Sequence, residues 1–206
     1  MERRREQPYL MSFGTGGLYI NESVAIARLH VPGSAWEATV SDAQGRGAFP
    51  VRKASSARRS IREIVNRLKR LSSDELALLI EGDRSEQAAL LWLAACRAYR
   101  FIAEFAIEVL SDRFLSLRTV VTYDDFDAFL SAKEEWTPKL ATLSVSTRAK
   151  LRTVLFRLMR EAEILSQENR ILGAMLSPRV LALIQAGSPD ELRYFPGGER
   201  HLGRKG

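Results

Sequence analysis

An all-α fold is predicted by three features of this 206-residue sequence. Apolar residues recur every three or four positions along most of the chain, few segments alternate with a period of two, and Pro and Gly are concentrated between the periodic segments. The length allows a sizeable buried core, and the content of 46% hydrophobic and 27% charged residues is ordinary for a globular protein. We therefore expect a compact helical bundle that contains helix-turn-helix elements.

Five helices are predicted before residue 112. In chain order they span residues 17–29, 34–40, 56–71, 74–80 and 85–111. Ser55 or Ser56 is the expected N-cap of the third helix, and Ser85 is the expected N-cap of the fifth. The fifth helix carries apolar residues around most of its circumference, which indicates a central and nearly enclosed position. A loop that contains Gly and Pro, 41–53, separates the second helix from the third.

The C-terminal part is predicted to contain four more helices and a hairpin. The helices span residues 123–136, 138–143, 146–163 and 178–185, and the hairpin spans 164–172. Thr122 is the expected N-cap of the first of these helices, Pro138 opens the second, and Ser146 or Thr147 caps the third. The chain is accordingly divided into an N-terminal helical subdomain, a C-terminal helix-turn-helix-like subdomain and a flexible tail, at residues 1–120, 121–196 and 197–206.

The positive charge is concentrated in one segment, VRKASSARRSIREIVNRLKRLS at residues 51–72. This segment holds eight Lys or Arg and one Glu, whereas the whole chain has a net charge of +6. In helical projection its apolar residues gather on one side and its cations on the other. A solvated face is the usual meaning of a charged helix face, but such faces mix signs, so the excess favours an anionic partner. The expected contact residues are Arg58, Arg59, Arg62, Asn66, Lys69 and Arg70.

A second basic helix is predicted in STRAKLRTVLFRLMREAEIL, residues 146–165. A short helix and a turn precede it and a hairpin follows, which is the order of a winged helix-turn-helix. In that motif the second helix enters the major groove by its N-terminal residues, here Arg148, Lys150 and Arg152. Plain packing is an equal alternative, because many helical bundles contain this order of elements without binding nucleic acid.

No enzymatic site is found in the sequence. The glycine-rich SFGTGG, residues 12–17, lacks the Gly-Lys-Ser/Thr of a phosphate-binding loop, and no Cys/His cluster has the spacing of metal ligands. No serine-nucleophile motif occurs. The acidic run at Asp124, Asp125 and Asp127 falls in the first turn of a helix, where acids complement the helix dipole. We expect neither an enzyme nor a cofactor or metal.

A cytoplasmic location is expected. The single cysteine, Cys96, excludes an intramolecular disulfide, and its apolar neighbours predict a buried thiol. The N-terminal charges are not followed by an apolar stretch of signal-peptide length. No run of about 20 apolar residues could cross a membrane.

Several segments, taken in order, resemble the BrxA family. They are MSFGTGGLYINES, SSARRSIREIVNRL, LLWLAACRAYRFIAEFAIEVL, YDDFDAFLSAKEEW, TRAKLRTVLFRLMREAEILS, and finally LSP with DELRYFP. The similarity covers roughly residues 9–196. It lies in the order and spacing of the segments, none of which is a catalytic signature.

The resemblance implies a function in antiviral defence. BrxA is the small all-helical component of the bacteriophage exclusion (BREX) system, with a fold compared to the RNA-binding protein NusB and with helix-turn-helix elements. The family implies binding of double-stranded DNA, a place beside the methyltransferase, the ATPase and other BREX proteins, and no enzymatic activity. It supplies no residue-level binding motif, so the contact residues above rest on charge and helical face alone.

Two other functions remain open at this point. The basic face could dock on an acidic patch of a partner subunit, which would make the protein an assembly adaptor. The comparison with NusB suggests RNA. The basic segments contain few aromatic residues, however, and aromatic stacking is how RNA loops and single strands are usually held.

Overall fold

The computed structural model describes residues 9–45 and 54–202. In chain order their helices are α1 (Ile20–Leu29), α2 (Trp36–Gly45), α3 (Ala54–Leu68), α4 (Ser73–Glu81), α5 (Arg84–Ala98), α6 (Arg100–Phe105), a π-helix (Ala106–Ser111), α7 (Asp112–Leu115), α8 (Tyr123–Glu134), α9 (Pro138–Ala141), α10 (Val145–Glu161), α11 (Pro178–Gly187) and two 3-10 helices (Pro189–Tyr194 and Gly198–His201). No strand occurs in these two ranges, so the predicted all-α class is confirmed there.

The core is built around α5, as the sequence predicts. Its residues from Leu90 to Cys96 are essentially inaccessible to solvent. The helix contacts α1, α3, α4, α10 and α11, so it is covered on most sides. Burial of a continuous set of large apolar side chains is the main favourable term for a fold of this kind.

The central helix is not continuous, contrary to the expectation of one helix over 85–111. Tyr99 has an extended backbone and separates α5 from α6, and a π-helix follows at Ala106–Ser111. The apolar period runs across the break without interruption, which is why periodicity did not reveal it. The buried hydroxyl of Tyr99 donates to Glu63 of α3 at 2.6 Å, and this tertiary contact lies beyond the reach of local pattern.

Several helix limits differ from the prediction. The first helix begins at Ile20 and not at residue 17, because Gly16 and Tyr19 both have left-handed backbone angles, with φ of 67° and 55°. Helix α2 continues to Gly45 into the predicted loop, and residues 46–53 of that loop lie outside the described residues. Helix α3 already includes Ala54, so Ser55 and Ser56 lie inside it and do not cap it.

The N-caps of α5, α8 and α10 are short polar residues, as expected, but two of the three are not the residues that the sequence predicts. Thr122 caps α8 as predicted. Helix α5 is capped by Asp83 and not by Ser85, in a capping box with Glu86. Helix α10 is capped by Ser144 and not by Ser146 or Thr147. For α5 the observed cap lies two residues before the predicted one, and for α10 it lies two or three residues before. It too has a short polar side chain, which is the type preferred at this position.

The predicted hairpin at 164–172 is reduced to isolated bridges. One antiparallel bridge joins Leu165 to Ile171, and a second joins Val120 to Arg170. The backbone N–H of Val121 donates to the carbonyl of Asn169 at 3.0 Å, so residues from before α8 lie beside the turn. The short α9 and the long α10 precede this turn, in the predicted order. That they act as a DNA-binding helix-turn-helix stays a prediction. The boundary between two subdomains at residue 120 also stays a prediction.

Residues 198–202, which the sequence predicts as part of a flexible tail, contain secondary structure. Gly198–His201 forms a 3-10 turn, Gly198 is buried, and Leu202 packs against the core. Within the ranges described, no helix combines the length and apolar character needed to cross a bilayer.

Candidate nucleic-acid interface

Helix α3 has one buried apolar face and one exposed cationic face, as the helical projection of its sequence predicts. Its buried stripe consists of Ile61, Ile64, Val65 and Leu68. Four arginines point to solvent, namely Arg58, Arg59, Arg62 and Arg70, the last of these just beyond the end of the helix. Among the residues that the structure describes, no acidic side chain lies within ion-pair distance of any of the four. A charged face without counterions from the protein itself is suited to an external polyanion.

The other two proposed contacts of this face have partners within the fold. The ammonium of Lys69 is exposed but lies 3.2 Å from Oε1 of Glu37 on α2. A hydrogen bond within Glu37 itself and the bond from Lys69 lower the pKa of the Glu37 carboxyl. The amide of Asn66 is half-buried and donates to the hydroxyl of Tyr99 at 3.2 Å. Asn66 therefore helps to hold α3 on the core.

Arg67 is a buried cation. Only 1% of the residue is exposed. Its Nε donates to Oε1 of Glu63 at 2.8 Å, and its Nη1 donates to the carbonyl of Gly17 at 2.9 Å. Burial, followed by the Glu63 charge, raises the pKa of Tyr99 to about 12. Glu63, which the projection places at the margin, is thus part of an internal network that fixes the rotation of α3.

The glycine-rich segment, residues 12–17, lies between α3 and α10. Arg67 of α3 holds the carbonyl of Gly17, while Glu161 of α10 accepts the backbone N–H of Leu18 at 2.5 Å. A Cβ on Gly16 would lie 1.8 Å from the hydroxyl oxygen of Tyr19, and the φ of 67° disfavours other residues, so a substitution here would strain the backbone and displace the Tyr19 ring. These contacts give the glycines a structural role, and they bring the two basic helices to the two sides of one segment.

Two of the three proposed contacts on α10 point into the fold. Arg148 forms an ion pair with Glu134 and donates from Nε to the carbonyl of Leu143 at 3.0 Å. Arg152 forms an ion pair with Asp127, and its guanidinium carbon lies 4.7 Å from the centre of the Tyr123 ring. Both arginines are half-buried and bind α10 to α8 or to the turn before it.

Lys150 is the proposed contact on α10 that faces solvent. Its side chain is exposed, and its aliphatic carbons lie about 3.9 Å from the position that a Cβ on Gly14 would take. Lys150 therefore lies beside the glycine-rich segment.

Sequence reasoning missed two residues of this region. Arg157 is exposed and lies 2.7 Å from Glu161, and the hydrogen bond to that carboxylate raises the pKa of Arg157. Tyr19 is half-buried, and its hydroxyl lies 3.2 Å from Oγ of Ser60 on α3. Positions 150, 157 and 161 share one helix face, so spacing alone could have placed Arg157 with Lys150. No sequence signal identifies Tyr19, because its position depends on the left-handed turn before α1.

The sequence is similar to those of known proteins. The sequence model of the BrxA family matches residues 7–188. A protein of Bacillus cereus (strain H3081.97) that is named BREX protein BrxA is 26% identical over 121 residues, which cover 59% of this chain and 60% of that protein. The chain thus aligns with about three fifths of the length of this relative.

A solved structure supports the fold independently. The crystal structure of an uncharacterized protein from Magnetospirillum magneticum superposes with a TM-score of 0.78 at 20% identity, covering 91% of this chain and 97% of that one. At this identity the likeness concerns the fold alone.

Proposed function

The chain belongs to the BrxA family, and from this membership we propose that it is a non-enzymatic, double-stranded DNA-binding component of a BREX phage-defence system. The name of the Bacillus cereus relative supports the connection with BREX. Other BREX proteins are the partners proposed with it, and the cytoplasm, where cysteine thiols such as Cys96 stay reduced, is the proposed location.

The observation that carries the DNA proposal is the set of four exposed arginines on α3. Arg58, Arg59, Arg62 and Arg70 lack an ion-pair partner among the described residues. Cations held side by side without counterions repel one another, and phosphates that neutralise them release condensed counterions from DNA. The gain is independent of base sequence, so the contacts are expected to be with the phosphate backbone.

The form of the face favours a duplex over a single strand. The sequence of α3, ASSARRSIREIVNRL, contains no aromatic residue. Single strands and RNA loops are held chiefly by stacking of bases on aromatic rings, which α3 cannot supply. A row of guanidinium groups, by contrast, suits the regular phosphates of a duplex.

The second contact surface is proposed at Lys150, the exposed cation near the start of α10. Arg148 and Arg152 would have to leave their ion pairs with Glu134 and Asp127 before either could reach a phosphate. Lys150 is free of that cost. Arg157 is not, because it is paired with Glu161 at 2.7 Å. We therefore expect α3 to carry most of the affinity and α10 to add a smaller contribution, chiefly through Lys150.

The test compares two triple variants that remove the same charge. In the first, Arg59, Arg62 and Arg70 of the α3 face are replaced by alanine; in the second, the exposed Arg28, Arg84 and Arg118 are replaced. Fluorescence anisotropy with a labelled duplex should give an affinity loss of at least about tenfold for the first variant and little change for the second.

The same pair of variants separates DNA binding from the adaptor function. If the first variant binds the duplex like the parent but no longer copurifies with the other proteins of the defence system, the basic face is an assembly surface. Equal losses of duplex affinity in both variants would show that only net charge matters, and would contradict a defined interface on α3.

A further inference from the structure

A cleft outside the basic face combines charged side chains with an exposed tryptophan. Its volume is about 480 Å³, within the range of small-ligand sites. Its wall includes Tyr9, Arg100, Glu104, Glu108, Lys133 and Trp136. They come from four separate parts of the chain: the segment before α1, helix α6, the π-helix, and α8 with the turn after it.

The floor of the cleft is a satisfied network around Glu104. This carboxylate accepts a hydrogen bond from the hydroxyl of Tyr9, pairs with Nε of Arg100 at 2.6 Å, and pairs with Nζ of Lys133 at 2.8 Å. The Arg100 guanidinium carbon also lies 4.5 Å from the centre of the Tyr9 ring. Burial and the bond to Glu104 raise the pKa of the Tyr9 phenol. The floor is therefore built and rigid without a ligand.

The mouth of the cleft is more acidic than its floor. Both oxygens of Glu108 accept from Nζ of Lys133 at 2.8 Å, so a single ammonium serves two carboxylates. The side chain of Lys133 is 18% exposed, whereas that of Glu108 is 48% exposed. Glu108 is therefore the more accessible member of its pair with Lys133. Glu135, next to Trp136 in the chain, is exposed as well.

Trp136 is the unusual member of the wall. It is 86% exposed, although an indole ring buries a large apolar area when it is covered. Tryptophan is also the ring that holds a cation most strongly over its face. Glu108 lies within the π-helix Ala106–Ser111, and such distortions occur frequently at functional sites. An exposed indole and a partly exposed carboxylate that line one cleft can together receive a guanidinium or ammonium group.

We propose that this cleft binds a basic side chain, arginine or lysine, that a partner protein presents. The cation would lie on the Trp136 ring and pair with Glu108, with Glu135 adding attraction from outside. A nucleotide fits less well, because the cations that its phosphate would need, Lys133 and Arg100, are less exposed than Glu108 and are already paired with glutamates. The assignment does not depend on DNA binding by α3.

The probe for this site is the blocked tripeptide acetyl-Ala-Arg-Ala-amide. Its control is the citrulline analogue, which keeps the shape of arginine and removes the charge. NMR should show a saturable shift of the Trp136 indole N–H with the arginine peptide and a clearly weaker effect with citrulline. The buried Trp92 indole donates to the carbonyl of Tyr194 at 2.9 Å, so its signal should not move and reports that the fold is intact.

Two variants complete the test. Glu108→Gln should weaken binding of the arginine peptide at least about threefold, whereas Glu81→Gln, at an exposed acid on α4, should leave it unchanged. The proposal is overturned if the arginine peptide gives no saturable shift, if citrulline binds equally well, or if a nucleoside monophosphate binds more tightly. None of these outcomes concerns duplex affinity, so this proposal and the proposed function are tested independently of each other.

Discussion

Arg67 and Arg62 show how residues of one type on one helix differ in their environment. Arg62 is exposed and has no ion-pair partner among the described residues, while Arg67 is enclosed between Glu63, Gly17 and the core. Five positions separate them, which turns Arg67 toward the dry side of α3. Arg62 is therefore accessible to an external partner, whereas Arg67 fixes the orientation of the helix on the core.

Replacement of Arg67 by methionine should be strongly destabilising. The substitution leaves the buried carboxylate of Glu63 without its cation, which typically costs about 3–5 kcal/mol. Urea denaturation measures the loss in the free energy of unfolding. Arg62→Ala is the matched control and should change it by no more than about 0.5 kcal/mol. An Arg67→Met variant as stable as the control would show that the pair does not support the fold.

At the scale of elements, helix ends are defined by side-chain caps. The carboxylate of Asp83 accepts the backbone N–H of Glu86 at 2.9 Å, and Glu86 returns a bond to the N–H of Asp83 at 3.1 Å. Ser85 lies within the first turn of α5, and its hydroxyl donates to a carboxylate oxygen of Glu163 at 3.3 Å. The preference for a short polar side chain, from which Ser85 is predicted, is met equally by Asp83, so it does not by itself locate the start of α5.

The cap gives a prediction that distinguishes the two residues. Asp83→Ala removes an acceptor for an otherwise unpaired backbone N–H, and should lower the free energy of unfolding by about 1 kcal/mol. Ser85→Ala should have an effect of no more than about 0.5 kcal/mol. Urea denaturation of both variants decides the matter, and a larger loss at Ser85 would contradict the assigned start of α5.

At the scale of the whole molecule, two carboxylates join distant parts of the chain. Burial alone would raise the pKa of Glu86, but bonds from Ser177 and Arg179 outweigh it and hold the pKa below its ordinary value. The pKa of Glu104 follows the same pattern, with Lys133, Tyr9 and Arg100 as the donors that outweigh burial. Each group is thus ionised more readily in the folded chain than in the unfolded chain.

These lowered pKa values predict a loss of stability in acid. The stability contributed by each carboxylate is fully present above the unfolded pKa and is lost as the pH falls through the folded pKa. The free energy of unfolding should therefore decrease between about pH 5 and about pH 3. Glu104→Gln removes one of the groups, so its decrease over that interval should be smaller than the parent's. An equal or larger decrease would exclude Glu104 as a contributor.

The sequence predicts the helical fold well and the candidate interface in part. The spacing of apolar residues and the positions of Pro and Gly locate the central helix and the buried stripe of α3, because each of these features depends on residues that are close together in the sequence. The inward position of Arg148 and Arg152 depends on the packing of α8 beside α10, which no local pattern encodes. The break at Tyr99 and the place of the glycine-rich segment likewise depend on contacts between distant residues.

The most direct test of a phosphate-binding face on α3 is the salt dependence of duplex binding. Affinity is measured between about 50 and 200 mM salt for the parent and for the variant that lacks Arg59, Arg62 and Arg70, and its logarithm is plotted against that of the salt concentration. Each lost phosphate contact lowers the slope by about 0.9, so the variant's slope should be smaller by about 2 to 3. Identical slopes for the two proteins would contradict the assignment.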